Sequence, residues 1–341
     1  MMQSSEACAR SPASVHVIGA GVAGTWQALQ FAKAGYEVAL YERGDAAMAQ
    51  STGHWAGGML APYCESEAAE PVIARLGLRS LDLWRETLPD TPFNGSLVVA
   101  HARDRADLAR FARLTPGHER IDAAAIATLE PDLAGRFGEG LFFPAEGHVD
   151  PRRVLPALHA VLREQGVPVA FGVEPDVEAL EGTVIDCRGM AAREDAPELR
   201  GVKGEMIVIE TREIALSRPI RVLHPRWSLY VVPRERHRFF IGATSIEAED
   251  EGVSVRSALE LLTAAYAVHP AFGEARILEF GAALRPAFPD NLPRVAVSGR
   301  RIGVNGLYRH GFLLAPALAE LTVAHVHDGY TDNEVVRCTS L

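Results

Sequence analysis

A chain of 341 residues, 48% hydrophobic and 23% charged, has the composition of a globular protein with room for two cores. Its 44 acidic against 34 basic residues give a net charge of −10, which argues against a nucleic-acid-binding surface and leaves any anionic ligand in need of a local positive site. No apolar run approaches the roughly 18 residues of a membrane span, and Cys8, Cys64, Cys187 and Cys338 form no CxxC pair, so neither a disulfide framework nor a metal site is expected.

Residues 1–14 lack the apolar segment of a secretory signal and read as a disordered leader, with the cytoplasm as the default location. Residues 15–42 read VHVIGAGVAGTWQALQFAKAGYEVALYE. A short β-type run precedes Gly19, Gly21 and Gly24 in GxGxxG spacing, a helix bearing Trp26, Leu29, Gln30 and Ala34 follows, Gly35 ends it, and EVALYE makes a second strand. Such glycines serve a tight turn, close approach of backbone to a pyrophosphate, and close helix packing, with the helix amino end facing the diphosphate. Glu42 closes the second strand, where a carboxylate accepts ribose hydroxyls. These features predict a dinucleotide site without separating NAD from FAD. The next segment is more telling. A nicotinamide fold continues with more βα units, whereas this chain enters a small-residue loop at 51–61 with Gly57 and Gly58 adjacent, against which a flat ring can lie.

Helical periodicity at 71–90 places Val72, Leu76, Leu83, Trp84 and Leu88 on one side. A strand is expected at 95–102 and helices near 103–113 and 122–129. Asp150 with Pro151 starts a helix through Arg163, and 183–189 makes a strand ending in a Gly turn. KGEMIVIE, LYVVPR and RFFIGAT read as antiparallel strands, followed by a helix at 254–267. The chain closes with a strand, a Gly-bounded turn and a helix from about 313 to 326. The expected architecture is α/β with an α+β substrate domain: a Rossmann-type domain (15–75, 140–200, 281–341) interleaved with an antiparallel-sheet domain (76–139, 201–280).

The segment FGAALRP sets Arg285 at the end of a small apolar run. A guanidinium cannot escape burial by losing its proton, so it needs an anion, either from the protein (Asp290 is a candidate) or from a ligand.

Taken in order, VIGAGVAG with YER, AGGMLAP, GHVDP, VKGE, YVVPR, IGATS, GAALRP and GLYRHGFLLAPAL resemble the FAD-dependent D-amino-acid oxidase superfamily, and within it the glycine oxidases of bacterial thiazole biosynthesis. The resemblance runs from residue 15 to about 325. It implies noncovalent FAD, since no cysteine lies in the 279–320 region where related sarcosine oxidases attach theirs. It puts Val22 and Ala23 by the diphosphate, Glu42 and Arg43 by the adenosine, and Thr52 and Gly53 near the phosphates. Gly57, Gly58 and Met59 flank the flavin, and Val173 meets adenine, with Glu174 or Pro175 as alternatives. The turn of Leu307, Tyr308, Arg309, His310, Gly311, Phe312 and Leu313 approaches the pyrimidine edge. It makes Arg285 the clamp of a substrate carboxylate, Tyr230 a phenol on the same carboxylate, and Arg309 a further residue near substrate and flavin. Structural alternatives stay open for each: an ion pair for Arg285, ring packing for Tyr230, and a structural place for Arg309.

The implied reaction is oxidation of a small amino acid, its α-hydrogen passing to flavin, with molecular oxygen as acceptor and a thiazole synthase as recipient of the imine. A homo-oligomer is implied; metal, nucleic acid and membrane are not. Other readings are a sarcosine or D-amino-acid oxidase, a quinone-linked dehydrogenase, or a flavin-binding subunit without turnover. Bulky His54 and Trp55 stand where relatives have small residues, and Ser228 where some have histidine, which leaves the preferred amine open.

Overall fold

The computed structural model describes residues 13–224, 227–250 and 252–338. Residues 1–12, with Cys8, lie outside this range, as does the side chain of Ser228. Ser14, expected within the leader, already pairs with Glu37 in the first strand.

Seven strands make a largely parallel sheet, ordered Val336–Cys338, Arg294–Ser298, Arg301–Asn305, Thr183–Asp186, Ser14–Ile18, Glu37–Glu42 and Val169–Phe171. Only the Arg294–Ser298 and Arg301–Asn305 pair is antiparallel. Val15, Val17, Leu40, Val184 and Ile185 are fully buried, which is why these strands read as short apolar runs and not as alternating ones. Helices Val22–Lys33, Pro71–Thr87, Pro151–Glu164 and Gly311–Asp328 contribute most of the remaining core. Trp26 and Trp84 meet edge to face with centroids 4.9 Å apart, and Trp84 Nε1 donates to the Phe312 carbonyl at 2.9 Å.

The second sheet has eight strands, ordered Arg276–Ala287, Arg200–Glu210, Arg238–Gly242, Trp227–Arg234, Ile220–His224, Ser96–Ala100, Glu139–Phe143 and Glu119–Asp122. It is antiparallel except where Ile220–His224 runs parallel to Ser96–Ala100. Helix Val255–Val268 covers one face, packing Leu261, Ala264, Ala265 and Val268 on Ile207 and Ile209. The opposite face carries Met206, Tyr230 and Phe240, the last two of which line the cavity described below.

Three expected domain edges fall inside elements. Helix Pro71–Thr87 lies in the core of the parallel sheet through Val72 to Trp84, although 76–139 reads as substrate domain. Strand Glu139–Phe143, expected in the nucleotide part, pairs with Ser96–Ala100 and Glu119–Asp122. Strand Arg276–Ala287 stays in the eight-stranded sheet past residue 281. Strand composition reports burial, and the partner is chosen by tertiary contacts that one-dimensional patterning does not encode.

Candidate functional site

A cavity of about 380 Å³ runs from the glycine turn to the inner face of the eight-stranded sheet. Gly19 sits at φ +95°, and a Cβ there would come 2.6 Å from the Cys187 carbonyl oxygen. At Gly24 a Cβ would lie 1.8 Å from the Gly19 oxygen, so this glycine lets the helix close on the turn and does not itself face the cavity. Gly21 caps the helix, and Val22 and Ala23 head it with N–H groups that have no intrahelical acceptor. The Glu42 carboxylate accepts from the Ala20 N–H at 2.9 Å and the Gly44 N–H at 2.8 Å, which fixes it at the rim while each oxygen keeps a lone pair. Arg43 is exposed beside it, and Val173 and Glu174 both line the same end, so the choice between them stays open.

The loop after the second strand forms the middle of the wall. Thr52 and Gly53 line the cavity, but the Thr52 hydroxyl donates to the Leu284 carbonyl at 2.9 Å and the Gly53 N–H to Ser51 Oγ at 3.2 Å. Gly57, Gly58 and Met59 follow, with Gly58 at φ +66° and a would-be Cβ 2.1 Å from the Val149 oxygen. Opposite them stand Leu307, Tyr308, Arg309, Gly311 and Phe312. His310 and Leu313 do not line the cavity: His310 is buried with Nε2 2.8 Å from Glu65 Oε2, and Leu313 packs in the core against Gly77.

The glycine positions that no Cβ could occupy, the two helix amino ends and the flat-walled loop together fit a dinucleotide carrying a planar ring, with the ring end against the eight-stranded sheet. That end has an ordered floor. Tyr230, Gly242, Met206 and Gly281 are register partners in turn across four strands. Two of the four lack side chains. Trp55 takes the space above Gly281, where a Cβ would come 2.1 Å from its ring, and its Nε1 donates to the Ala49 carbonyl at 3.2 Å. Arg152 lies 5.1 Å over the Trp55 ring and is itself held by Glu279 through two bonds of 2.9 and 2.8 Å. His54 stacks edgewise on Trp55, centroids 5.0 Å apart, and burial lowers its pKa.

Arg285 reaches this floor from the edge strand. Its Nη1 donates to the Thr244 carbonyl at 2.9 Å and lies 3.5 Å from the Lys203 carbonyl, and no carboxylate pairs with it among the described residues. Asp290 instead lies 3.4 Å from Arg294. Burial pulls the pKa of Arg285 down to about 10, which still leaves it charged. The Tyr230 hydroxyl accepts from Arg221 Nη1 at 3.1 Å. Burial raises the Tyr230 pKa well above 10 despite the nearby Arg221 charge, so the phenol keeps its proton.

Arg309 is engaged by a protein carboxylate, with Nη2 2.6 Å from Glu65 Oε2. Burial alone would raise the Glu65 pKa, but Arg309 and His310 hold it well below the usual carboxylate range. Glu65 and Arg221 both line the cavity and were not expected there. The signal for Arg221 resembled that of Arg285: a lone arginine between the buried Ile220 and Val222. Glu65 follows directly on the loop in APYCE, with nothing local to distinguish it from a surface acid. Among the described residues no cluster of three metal-ligating side chains occurs, and no helix is long and apolar enough to cross a membrane.

The chain is similar to known proteins over nearly its whole length. A Rhizobium etli protein that carries the name thiamine biosynthesis oxidoreductase ThiO is 53% identical, over 89% of this chain and 93% of that one. A Nostoc protein named bifunctional protein ThiO/ThiG is 29% identical over 89% of this chain, which spans about half (51%) of that relative. The crystal structure of a glycine oxidase from Bacillus cereus superposes with a TM-score of 0.77 at 21% identity, covering 94% of this chain and 98% of that one, and shares the fold. Residues 14–325 match the model of the FAD-dependent oxidoreductases called DAO, and the chain belongs to that family.

Proposed function

We propose that this protein oxidises glycine and other small amino acids, with molecular oxygen as acceptor, to the imine or 2-oxo acid, ammonia and hydrogen peroxide, and that the imine serves thiazole formation for thiamine. The observation that carries the reading is Arg285: a buried guanidinium at the cavity floor with two carbonyl neighbours and no carboxylate partner among the described residues. An amino-acid carboxylate supplies the missing charge and both oxygens that a planar fork takes. The names of the relatives agree with glycine as substrate and with a thiazole-forming partner, the second through the ThiO/ThiG fusion.

Bound FAD supplies the two-electron acceptor for the substrate's α-hydrogen. The chain's own residues bind and orient. In this reading Arg285 grips the carboxylate and Tyr230 donates its phenolic proton to it, because Arg221 already donates to the phenol oxygen. Glu65 cannot serve as a base while Arg309 and His310 hold it, so the amine enters the reaction already neutral. Trp55, Met206 and Phe240 pack together on the sheet side and exclude water, and the bulk of Trp55 favours small amines.

The test is a peroxide assay of the purified yellow protein against glycine, sarcosine, D-alanine and D-proline, repeated with Arg285→Lys and Arg285→Met. Hydrogen bonds to charged groups contribute about 1.5–3 kcal/mol each. Efficiency on glycine should therefore fall about ten- to hundredfold for Lys and further for Met, with flavin content and melting temperature nearly unchanged. A preference for large D-amino acids, or an Arg285→Met variant that is unstable yet active, removes the proposal.

A further inference from the structure

The strand Trp227–Arg234 alternates Tyr230, Val232 and Arg234 onto one face. Tyr230 meets the cavity, whereas Arg234 is covered by the loop at 51–61. Its side chain is 9% exposed, yet its nearest carboxylate, Asp150, is 3.9 Å from Nε. The close contact is with a main-chain oxygen: Nη2 donates to the Gly57 carbonyl at 2.7 Å. Nη1 lies 3.5 Å from the Pro233 carbonyl, and the guanidinium lies 5.8 Å from the centre of the Phe240 ring. A cation kept in so dry a place is costly to the fold, so its contact with Gly57 invites a functional account.

Three of the loop's carbonyls are taken up by residues that do not line the cavity: His54 O accepts from Arg152 Nε at 3.4 Å, Gly57 O from Arg234, and Gly58 O from the Val149 N–H at 2.8 Å. The N–H groups of Gly57 and Gly58 have no acceptor among the described residues. A trans peptide sets its C=O and N–H in opposite directions. With the Gly57 oxygen drawn toward Arg234, which does not line the cavity, the Gly58 N–H is directed away from Arg234, and both glycines line the cavity.

We propose that Arg234 is a positioning residue for the cofactor: by holding the Gly57 carbonyl away from the cavity, it fixes the Gly58 N–H as a hydrogen-bond donor toward the ring of bound FAD. The inference rests on the family cofactor and not on the identity of the amine. A fixed donor facing a ring that gains electron density on reduction favours the reduced form. If the donor favours reduced over oxidised flavin by about tenfold, it raises the two-electron potential by about 30 mV.

Arg234→Met and Arg234→Lys, prepared as holoenzymes, test this by midpoint potential, by FAD dissociation constant of the apoproteins, and by melting temperature. Arg234→Met should lower the potential by about 30 mV and weaken FAD roughly tenfold, with a smaller shift in the same direction for Lys, whose single ammonium is a poorer match to the site. A merely structural arginine would move the melting temperature and leave the potential alone. An unchanged potential in Arg234→Met overturns the proposal, whatever happens to stability. If Arg234→Met does not retain flavin, the potential of Arg234→Lys decides in the same way: a fall supports the assignment and parental behaviour removes it.

Discussion

The guanidinium of Arg285 lies across the bare α-carbon of Gly204, in space that a Cβ would fill: the added carbon would come 2.1 Å from Nη2 and 2.3 Å from Cζ. The two residues sit on paired strands, Gly204 opposite Ala283 and Arg285 two positions beyond. Gly204→Ala should therefore push the guanidinium off its seat without touching any charged group. Efficiency on glycine should fall at least tenfold, chiefly through KM, because a displaced fork loses about one charged hydrogen bond of 1.5–3 kcal/mol. Flavin binding should hold. Steady-state kinetics beside a flavin spectrum checks this, and a Gly204→Ala enzyme with parental KM would show that Arg285 does not bind the substrate.

Arg221 and Tyr230 make a second coupled pair. A phenol has one proton to give and can accept at its oxygen, so donation from Arg221 Nη1 at 3.1 Å leaves the Tyr230 proton free for a ligand. Arg221 also pairs with Glu67 at 2.9 Å, and deleting it would leave that acid with the exposed Arg110 alone, at 3.2 Å, so Arg221→Lys is the variant of choice. Arg221→Lys should raise KM for glycine several-fold in the parent and hardly at all in a Tyr230→Phe background. The double-mutant cycle should show coupling of about 0.5–3 kcal/mol, the range for residues in contact. Equal effects in both backgrounds would mean that Arg221 acts elsewhere.

Glu146 supplies a pH dependence of stability. It is fully buried, accepts from the Cys64 N–H at 2.8 Å and from the Ser96 hydroxyl, and no cation among the described residues pairs with it. Burial pushes its pKa up to about 7 from 4.5. An acid whose folded pKa is raised favours folding when protonated. Its contribution is full below about pH 4.5 and is lost as pH rises to about 7. At about 1.4 kcal/mol per unit the loss is on the order of 3 kcal/mol. Glu146→Gln should remove this dependence and melt higher than the parent at pH 8, with the gap closing at pH 5. Parallel melting curves of the two proteins across that range would refute the account.

The glycine turn, Glu42 and the small-residue loop were legible because each reports a local backbone demand, such as the left-handed φ of Gly19 and Gly58. Arg285 was legible because a charge in an apolar run is rare. Glu65 was not, since the acid's partners, Arg309 and His310, lie more than 240 positions away in the chain. The same reason hid the sheet membership of Glu139–Phe143, whose neighbours are Ser96–Ala100 and Glu119–Asp122. His310 and Leu313 were placed at the cavity by the turn they belong to, but a helix start shows only some of its residues to any one side, and these two point into the protein.

The order in which the parallel sheet is assembled has a bearing on synthesis. Ser14–Ile18 pairs with Thr183–Asp186, and that strand's other neighbour is Arg301–Asn305. The helix start that completes the far wall of the cavity, at Gly311, is translated later still. At about 5–20 residues per second, roughly 15–60 s separate the first strand from the last pieces it needs. Until Arg301–Asn305 leaves the ribosome, Thr183–Asp186 presents a buried-type edge to whatever strand comes near. The flavin cannot act as an early folding template for this chain, because its cradle is incomplete until the helix start at Gly311 has been made.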